Sequence, residues 1–211
     1  MPDYEEMASG VIAGDFGRVA ELTRQAIDDG ADPAEILNQG LIKGMKVVGA
    51  RFKVGECYVP EVMMAARAMN AGMDLVKPLI AESDMPMAGK VVLGTVAGDL
   101  HDIGKNLVGM MMESGGMHVI NLGVDVSPSE IAMAVREHKP DIVALSALLT
   151  TTMLAMKDTL EVLEEEGLRG EVKVMVGGAP VTAEFATQIG ADGWAPDAAS
   201  AKDLALELIG K

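Results

Sequence analysis

A histidine flanked by two aspartates is the part of this sequence best suited to chemistry. Asp99, His101 and Asp102 follow an apolar, β-branched run, 90–96, and precede a segment with a helical pattern. An aspartate two residues from a histidine can accept a hydrogen bond from one ring nitrogen, which leaves the other nitrogen free for a metal. Gly104, directly after this motif, would let a bulky ligand approach the backbone. The segment therefore predicts a loop that binds a metal or a cofactor, although an ordinary surface His–Asp pair would look the same.

Two further apolar runs end in residues that suit a ligand site. Residues 141–146 lead into a hydroxyl-rich loop, and residues 172–176 lead into the pair Gly177 and Gly178. Open α/β sheets bind their ligands at the carboxyl ends of parallel strands, which share one edge. We therefore expect all three loops to meet at that edge.

The elements that must position these loops alternate between strand and helix patterns. The predicted strands are 90–96, 117–121, 141–146, 172–176 and 192–194. Such alternation indicates a parallel sheet covered by helices on both faces. The second part of the chain is thus predicted to be a flavodoxin-like, doubly wound five-stranded sheet.

The first part of the chain lacks strand-like runs and is predicted to be helical. The predicted helices run over 4–13, from the capping Asp15 to about 29, from Asp32-Pro33 to about 52, and from Val59 to 80. Short connections between four helices are typical of a bundle. The polar stretch 82–89 contains proline and glycine and divides the two patterns, so we predict a helical domain, 1–88, and an α/β domain, 89–211.

The three loops together resemble the cobalamin-binding domain shared by methionine synthase, the cobalamin-dependent mutases, and the corrinoid proteins of methanogens and acetogens. That family carries Asp-x-His-x-x-Gly, Ser-x-Leu and Gly-Gly, which correspond here to Asp99–Gly104, Ser146–Leu148 and 177–178. Residues before 88 are similar to the family's helical cap, and Gly55–Met69 resembles the segment that covers the upper face of the corrin. The resemblance extends over essentially the whole chain.

The resemblance implies cobalamin as the cofactor, with His101 bound to cobalt from below in place of the cofactor's own benzimidazole base. It implies an Asp99–His101–Ser146 relay that adjusts electron donation to cobalt, unless Ser146 is only a capping hydroxyl. The glycine pair would line a cavity for the displaced nucleotide tail or form a tight turn, and Trp194 would pack against the benzimidazole or in the core. The implied cofactor-binding residues are Asp99, His101, Asp102, Ile103, Gly104, Ser146, Leu148, Thr150, Gly177, Gly178, Ala179 and Trp194.

Other sites that occur on flavodoxin-like sheets fit these residues less well. A flavin site needs a hydroxyl-rich first loop that cradles phosphate, and a response regulator needs an acidic cluster with a late lysine. A zinc site would need three protein ligands, but His118 and His138 lie near a strand start and a helix end, and Cys57 belongs to the other domain. Cobalt in a corrin needs only one protein ligand, because the macrocycle supplies four nitrogens.

Composition excludes several classes of function. The net charge of −15 argues against a nucleic-acid-binding surface, which needs Lys and Arg to neutralise phosphates. No apolar run is long enough to cross a bilayer, and the acidic start lacks the features of a secretory signal. The single cysteine excludes an internal disulfide. We therefore expect a cytoplasmic protein that binds neither nucleic acid nor membrane.

The resemblance also implies a role as a methyl carrier. A substrate-specific methyltransferase would load the cofactor from a methylamine, methanol, a betaine or an aryl methyl ether. An acceptor methyltransferase would pass the methyl group to tetrahydrofolate or a thiol such as coenzyme M, and a reductive activation protein would serve the cofactor. The chain is too short to add the (β/α)₈ barrel that such transfers use, so a carrier is expected rather than a complete enzyme.

Two alternatives remain for a cobalamin-binding chain of this kind. A cobalamin-binding sensor or regulatory module would need an effector domain, typically a basic helix-turn-helix, which the acidic N-terminal part does not match. A detached mutase subunit would not usually carry the helical cap.

Overall fold

The computed structural model describes residues 2–79 and 88–211. They fall into two compact units: one takes residues 2–79 together with Ser114–Gly116, and the other takes residues 88–113 and Met117–Lys211. Most of the predicted boundary stretch, 82–89, lies outside the described residues, so the division 1–88 and 89–211 stays a prediction. None of the helices within 2–79 and 88–211 combines the length and the apolar character that a membrane span requires.

The first unit is helical, as predicted. Its elements are α1 (Tyr4–Ala13), α2 (Phe16–Asp28), the single turn α3 (Pro33–Glu35), a π-helical segment (Ile36–Ile42), α4 (Lys43–Lys53), α5 (Val59–Val76) and a 3₁₀ turn (Lys77–Leu79). Aspartates cap the first three helices: the side chains of Asp3, Asp15 and Asp32 accept hydrogen bonds from backbone N–H groups of the first turn. The helix predicted from residue 32 to 52 is present, but its middle part is π-helical.

Small and flexible side chains pack the helical unit. Fully buried residues include Met7, Leu41, Met45 and Met69. A Cβ at Gly44 would lie 2.6 Å from the carbonyl oxygen of Ala8, so the glycine allows α4 to approach the backbone of α1 closely.

The second unit contains a five-stranded, all-parallel sheet with the order β2-β1-β3-β4-β5. Its elements are β1 (Lys90–Val96), α6 (Ile103–Ser114), β2 (His118–Val126), α7 (Pro128–His138), β3 (Ile142–Ser146), α8 (Leu154–Glu165), β4 (Lys173–Gly177), α9 (Ala183–Ile189), β5 (Gly193–Ala195) and α10 (Ala198–Leu208). This strand order is that of flavodoxin, and it confirms the predicted doubly wound fold.

Alternate residues of the central strands face two separate apolar layers. In β3, Val143 and Leu145 belong to one buried cluster, whereas Ile142 and Ala144 belong to the other. Both faces of the sheet are therefore buried, which explains why its central strands are continuous apolar runs.

The edge strand β2 is longer and less regular than predicted. Its pairing with β1 shifts register twice, because Leu93 pairs with Asn121, Gly94 with Gly123, and Val96 with Val126. Each shift inserts one extra residue into β2, as in a β-bulge. The bulges carry the end of β2 alongside the loop that follows β1, where Asp125 N–H donates to the carbonyl oxygen of Asp99.

Candidate cofactor-binding site

The loop after β1 holds His101 in one orientation and one tautomer. The side chain of Asp99 is fully buried, whereas that of His101 is 51% exposed. The Nδ1 atom of His101 lies 2.7 Å from Oδ1 of Asp99, and the His101 backbone N–H donates to the same oxygen over 3.1 Å. The Nδ1 proton is therefore directed at the carboxylate, and Nε2 keeps its lone pair for a ligand.

The second oxygen of Asp99 is held by the loop after β3. Thr152 Oγ1 and the N–H of Leu148 both donate to Oδ2 over 2.7 Å, and the N–H of Leu149 lies 3.3 Å from it. Burial alone would raise the pKa of Asp99, but the hydrogen bonds from Thr152, Leu148 and His101 outweigh it and hold the pKa well below its ordinary value. The carboxylate is thus a fixed negative charge beneath the imidazole.

The hydroxyl that donates to Asp99 belongs to Thr152, a residue that the sequence analysis did not name. Within the described structure Ser146 is not among the donors to the Asp99 carboxylate; it ends β3 between Thr95 and Gly177 in the sheet register. The chain turns back after β3, with Thr152 N–H bonded to the carbonyl oxygen of Leu149, and this turn carries the Thr152 hydroxyl under Asp99. The expected hydrogen bond of Ser146 to Asp99 is not among the contacts of the described residues, and the role of Ser146 toward the cofactor stays a prediction.

Large apolar side chains stand exposed around His101. Leu100 is 71% exposed and Ile103 77%, and on the loop after β3 Leu148 and Leu149 are each 43% exposed. Exposed apolar groups grouped beside a polar anchor are typical of a ligand-binding surface. A corrin is a broad, largely apolar ring with a metal at its centre. One free imidazole nitrogen surrounded by these exposed apolar side chains therefore suits a corrin.

The glycine pair after β4 has a structural requirement of its own. Gly178 has a φ of +126°, and a Cβ there would lie 1.8 Å from the carbonyl oxygen of Ala147. At Gly177 a Cβ would lie 3.3 Å from the carbonyl oxygen of Ala195, while Ala179 is exposed. The tight-turn interpretation therefore accounts for Gly178 without any ligand.

Trp194 lies in β5 and packs against the protein. Its Nε1–H donates to the carbonyl oxygen of Val181 over 2.8 Å, and the half-buried ring joins the apolar cluster that includes Phe185. The predicted core contact of this residue is present, and its contact with the cofactor stays a prediction.

Comparison with known proteins identifies the family of this chain. Residues 89–202 match a family model described as a B12 binding domain, and residues 4–77 match a second model with the same description. This chain belongs to the B12-binding corrinoid proteins. The predicted family and its corrinoid cofactor, cobalamin, are thereby confirmed.

Individual relatives of this corrinoid protein match it along most of its length. A corrinoid protein of Desulfitobacterium hafniense (strain Y51) is 44% identical over 210 residues, covering 98% of this chain and 97% of that protein. Dimethylamine corrinoid protein 1 of Methanosarcina acetivorans is 43% identical over 206 residues, covering 97% and 96%. A chain in the crystal structure of the methanol:cobalamin methyltransferase complex MtaBC from Methanosarcina barkeri matches with a TM-score of 0.89 and 34% identity, covering 97% of this chain and 79% of that one.

The corrinoid protein also contains a buried lysine beside the histidine loop that sequence reasoning missed. The Nζ atom of Lys105 donates to the side-chain oxygens of Asn106 and Asn121, each over 2.7 Å. Asn106 in turn donates to Asp102 over 3.0 Å, and the predicted contact of Asp102 with the cofactor stays a prediction. Burial lowers the pKa of Lys105, and the charge of Asp102 opposes that shift. A lysine in the first turn of a helix, where the dipole disfavours a cation, was the signal available in the sequence.

Proposed function

We propose that this corrinoid protein carries a methyl group on cobalt between two methyltransferases. The first would take the methyl group from a small methylated substrate, and the second would pass it to tetrahydrofolate or to a thiol such as coenzyme M. The observation that carries this proposal is the match along nearly the full length of both chains to a dimethylamine corrinoid protein. The match to a chain of a methanol:cobalamin methyltransferase complex supports the same kind of partner.

His101 is the proposed protein ligand of the cobalt. When bound, the corrinoid supplies a metal centre that accepts and releases a methyl group. The chain contributes an imidazole whose Nδ1 proton is held by Asp99 at 2.7 Å, so electron donation from Nε2 depends on how far that proton shifts toward the carboxylate. The Thr152 hydroxyl and the Leu148 N–H stabilise the charge on Asp99 and so limit that shift.

The remaining predicted contacts are proposed as the surroundings of the corrin and its tail. Leu148 and Ile103 offer exposed apolar side chains, and Gly104 has open space where a Cβ would be. The proposed contacts of the nucleotide tail are Ser146, Thr150, Gly177, Ala179 and Trp194.

The proposed partners are a substrate-specific methyltransferase, an acceptor methyltransferase and a reductive activation protein. The loops that hold His101 leave half of its side chain accessible. This accessibility supports the proposal that a cofactor bound at His101 can be reached by each partner in turn. The methyl donor is proposed to belong to the group of methylamines and methanol, by similarity to the relatives named above.

A labelled methyl group tests the carrier role. The protein, reconstituted with cobalamin and reduced, is mixed with the methyltransferase encoded beside it and with methyl-labelled methylamines or methanol in separate reactions. We expect one donor to label the corrinoid protein stoichiometrically, and the label to leave when an acceptor methyltransferase and its acceptor are added. Steady methyl transfer by the corrinoid protein alone would show that it is an enzyme. Failure of every donor to label it would contradict the carrier role and favour a sensor.

A further inference from the structure

Asp125 occupies an unfavourable backbone conformation at the edge of the site. Its φ is +55°, and it is one of two non-glycine residues with a positive φ among residues 2–79 and 88–211. Such a conformation costs energy for most residues, although aspartate and asparagine tolerate it best. It lies in the second bulge of β2, where an extra residue brings the strand end next to the loop after β1.

Two hydrogen bonds connect Asp125 to the backbone that carries Asp99. The N–H of Gly98 donates to Oδ1 of Asp125 over 2.7 Å, and the N–H of Asp125 donates to the carbonyl oxygen of Asp99 over 3.0 Å. These bonds hold the peptide groups on both sides of the dipeptide Gly98–Asp99. Gly98 has a φ of +80°, and glycine is the most mobile backbone residue, so this dipeptide depends on such external contacts for its orientation.

We propose that Asp125 is a positioning residue that aims the Asp99 carboxylate at His101. The proposal rests on the assignment of His101 as the cobalt ligand. The geometry that the proposal explains, the contact between Asp99 and His101, lies within the polypeptide itself. Asp99 binds His101 through one oxygen and the loop after β3 through the other, and a small rotation of its backbone would lengthen both sets of contacts. The carboxylate of Asp125, which accepts a hydrogen bond from the Gly98 N–H, opposes that rotation.

Three substitutions separate the hydrogen bond from the backbone conformation. Asp125→Asn keeps an acceptor oxygen and tolerates a positive φ, so it is expected to behave as the parent. Asp125→Gly loses the acceptor but favours a positive φ, and Asp125→Ala loses the acceptor and adds strain. Lys139→Gly is the matched control, because Lys139 has a φ of +45° at the end of α7 and the same change there leaves the site alone.

Amide hydrogen exchange, followed by nuclear magnetic resonance on the protein without cofactor, reads the orientation of Asp99 directly. The N–H groups of His101 and Leu148 donate to its two oxygens, and the N–H of Val174, bonded to Asp192 on another part of the sheet, reports any general loss of stability. In Asp125→Gly and Asp125→Ala, we expect exchange at His101 and Leu148 to become about fivefold faster, the factor that one net hydrogen bond supplies. Exchange at Val174 is expected to change little.

The reconstituted protein gives a second measurement. Visible absorption is expected to show a smaller share of the form with histidine bound to cobalt in Asp125→Gly and Asp125→Ala, and an unchanged share in Asp125→Asn and Lys139→Gly. The proposal is overturned if Asp125→Gly exchanges like the parent, since only backbone strain would then matter. It is also overturned if Asp125→Asn is as defective as Asp125→Ala. If exchange changes as expected but no variant or parent shows bound histidine, the positioning role stands and the assignment of His101 as ligand fails.

Discussion

We expect the Thr152 hydroxyl to be one of the main groups that stabilise the negative charge on Asp99. Thr152→Val removes this hydroxyl with little change in the shape of the side chain. Its Oγ1 lies 2.7 Å from Oδ2 of Asp99 and 2.9 Å from the carbonyl oxygen of Leu149, and its single proton goes to the charged acceptor. A hydrogen bond to a buried charged group contributes about 1.5–3 kcal/mol. Because the N–H groups of Leu148 and Leu149 still bind Oδ2, we expect the loss in free energy of unfolding near the lower end of that range.

The pH dependence of stability provides the sharper readout. The pKa of Asp99 is lower in the folded protein than its ordinary unfolded value of about 3.9, so its contribution is fully present above that pH and is lost as the pH falls toward the folded pKa. Thr152→Val raises the folded pKa, so the free energy of unfolding should depend less steeply on pH below about 4.

Urea unfolding of the protein without cofactor, measured across this pH range, tests both effects. Ser146→Ala is the matched control, since Ser146 is not among the donors to Asp99 in the described structure, and we expect a change of at most about 0.5 kcal/mol with an unchanged pH slope. Equal losses in the two variants, or an unchanged pH slope in Thr152→Val, would refute the assignment of the relay hydroxyl to Thr152.

Two further substitutions test the structural residues around the site. Gly178→Ala places a Cβ 1.8 Å from a carbonyl oxygen, so we expect the free energy of unfolding in urea to fall by several kcal/mol. Gly123→Ala is the control: Gly123 has a φ of +93° but open space around it, so the fall should be only about 1 kcal/mol. Equal losses in the two variants would contradict the close approach at Gly178. Lys105→Met removes one donor from the side-chain oxygens of Asn106 and Asn121, which keep the donors Asn121 Nδ2 and Gly123 N–H. We therefore expect a loss of only about 1 kcal/mol by urea unfolding, and a loss of several kcal/mol would contradict this hydrogen-bond arrangement.

The fold could be predicted from the sequence because its strongest signals are local. The run 90–96 is buried at six of its seven positions, so its apolar character marked β1 correctly. Asp15, before α2, was recognisable as a cap because its cap contact lies within one turn. The end of β2 was missed, since the bulges that extend it to Val126 arise from pairing with β1 and leave no periodic pattern.

The site was predictable only where its contacts are close in sequence. Asp99 and His101 are two residues apart, and their hydrogen bond was expected from the motif. The choice between Ser146 and Thr152 depends on a turn that brings together residues 53 positions apart, and the sequence offers hydroxyls at 150, 151 and 152 alike. Asp125 gave no sequence signal, because its role comes from a bulge in an edge strand.

Visible absorption of the reconstituted protein tests the central claim, that His101 is the protein ligand of the corrinoid cobalt. We expect the parent to show the form in which the cofactor's own base is displaced and a histidine is bound. His101→Ala should retain the cofactor without that signature, and His138→Ala, altered at the end of α7, should match the parent. A His101→Ala spectrum identical to that of the parent would contradict the claim.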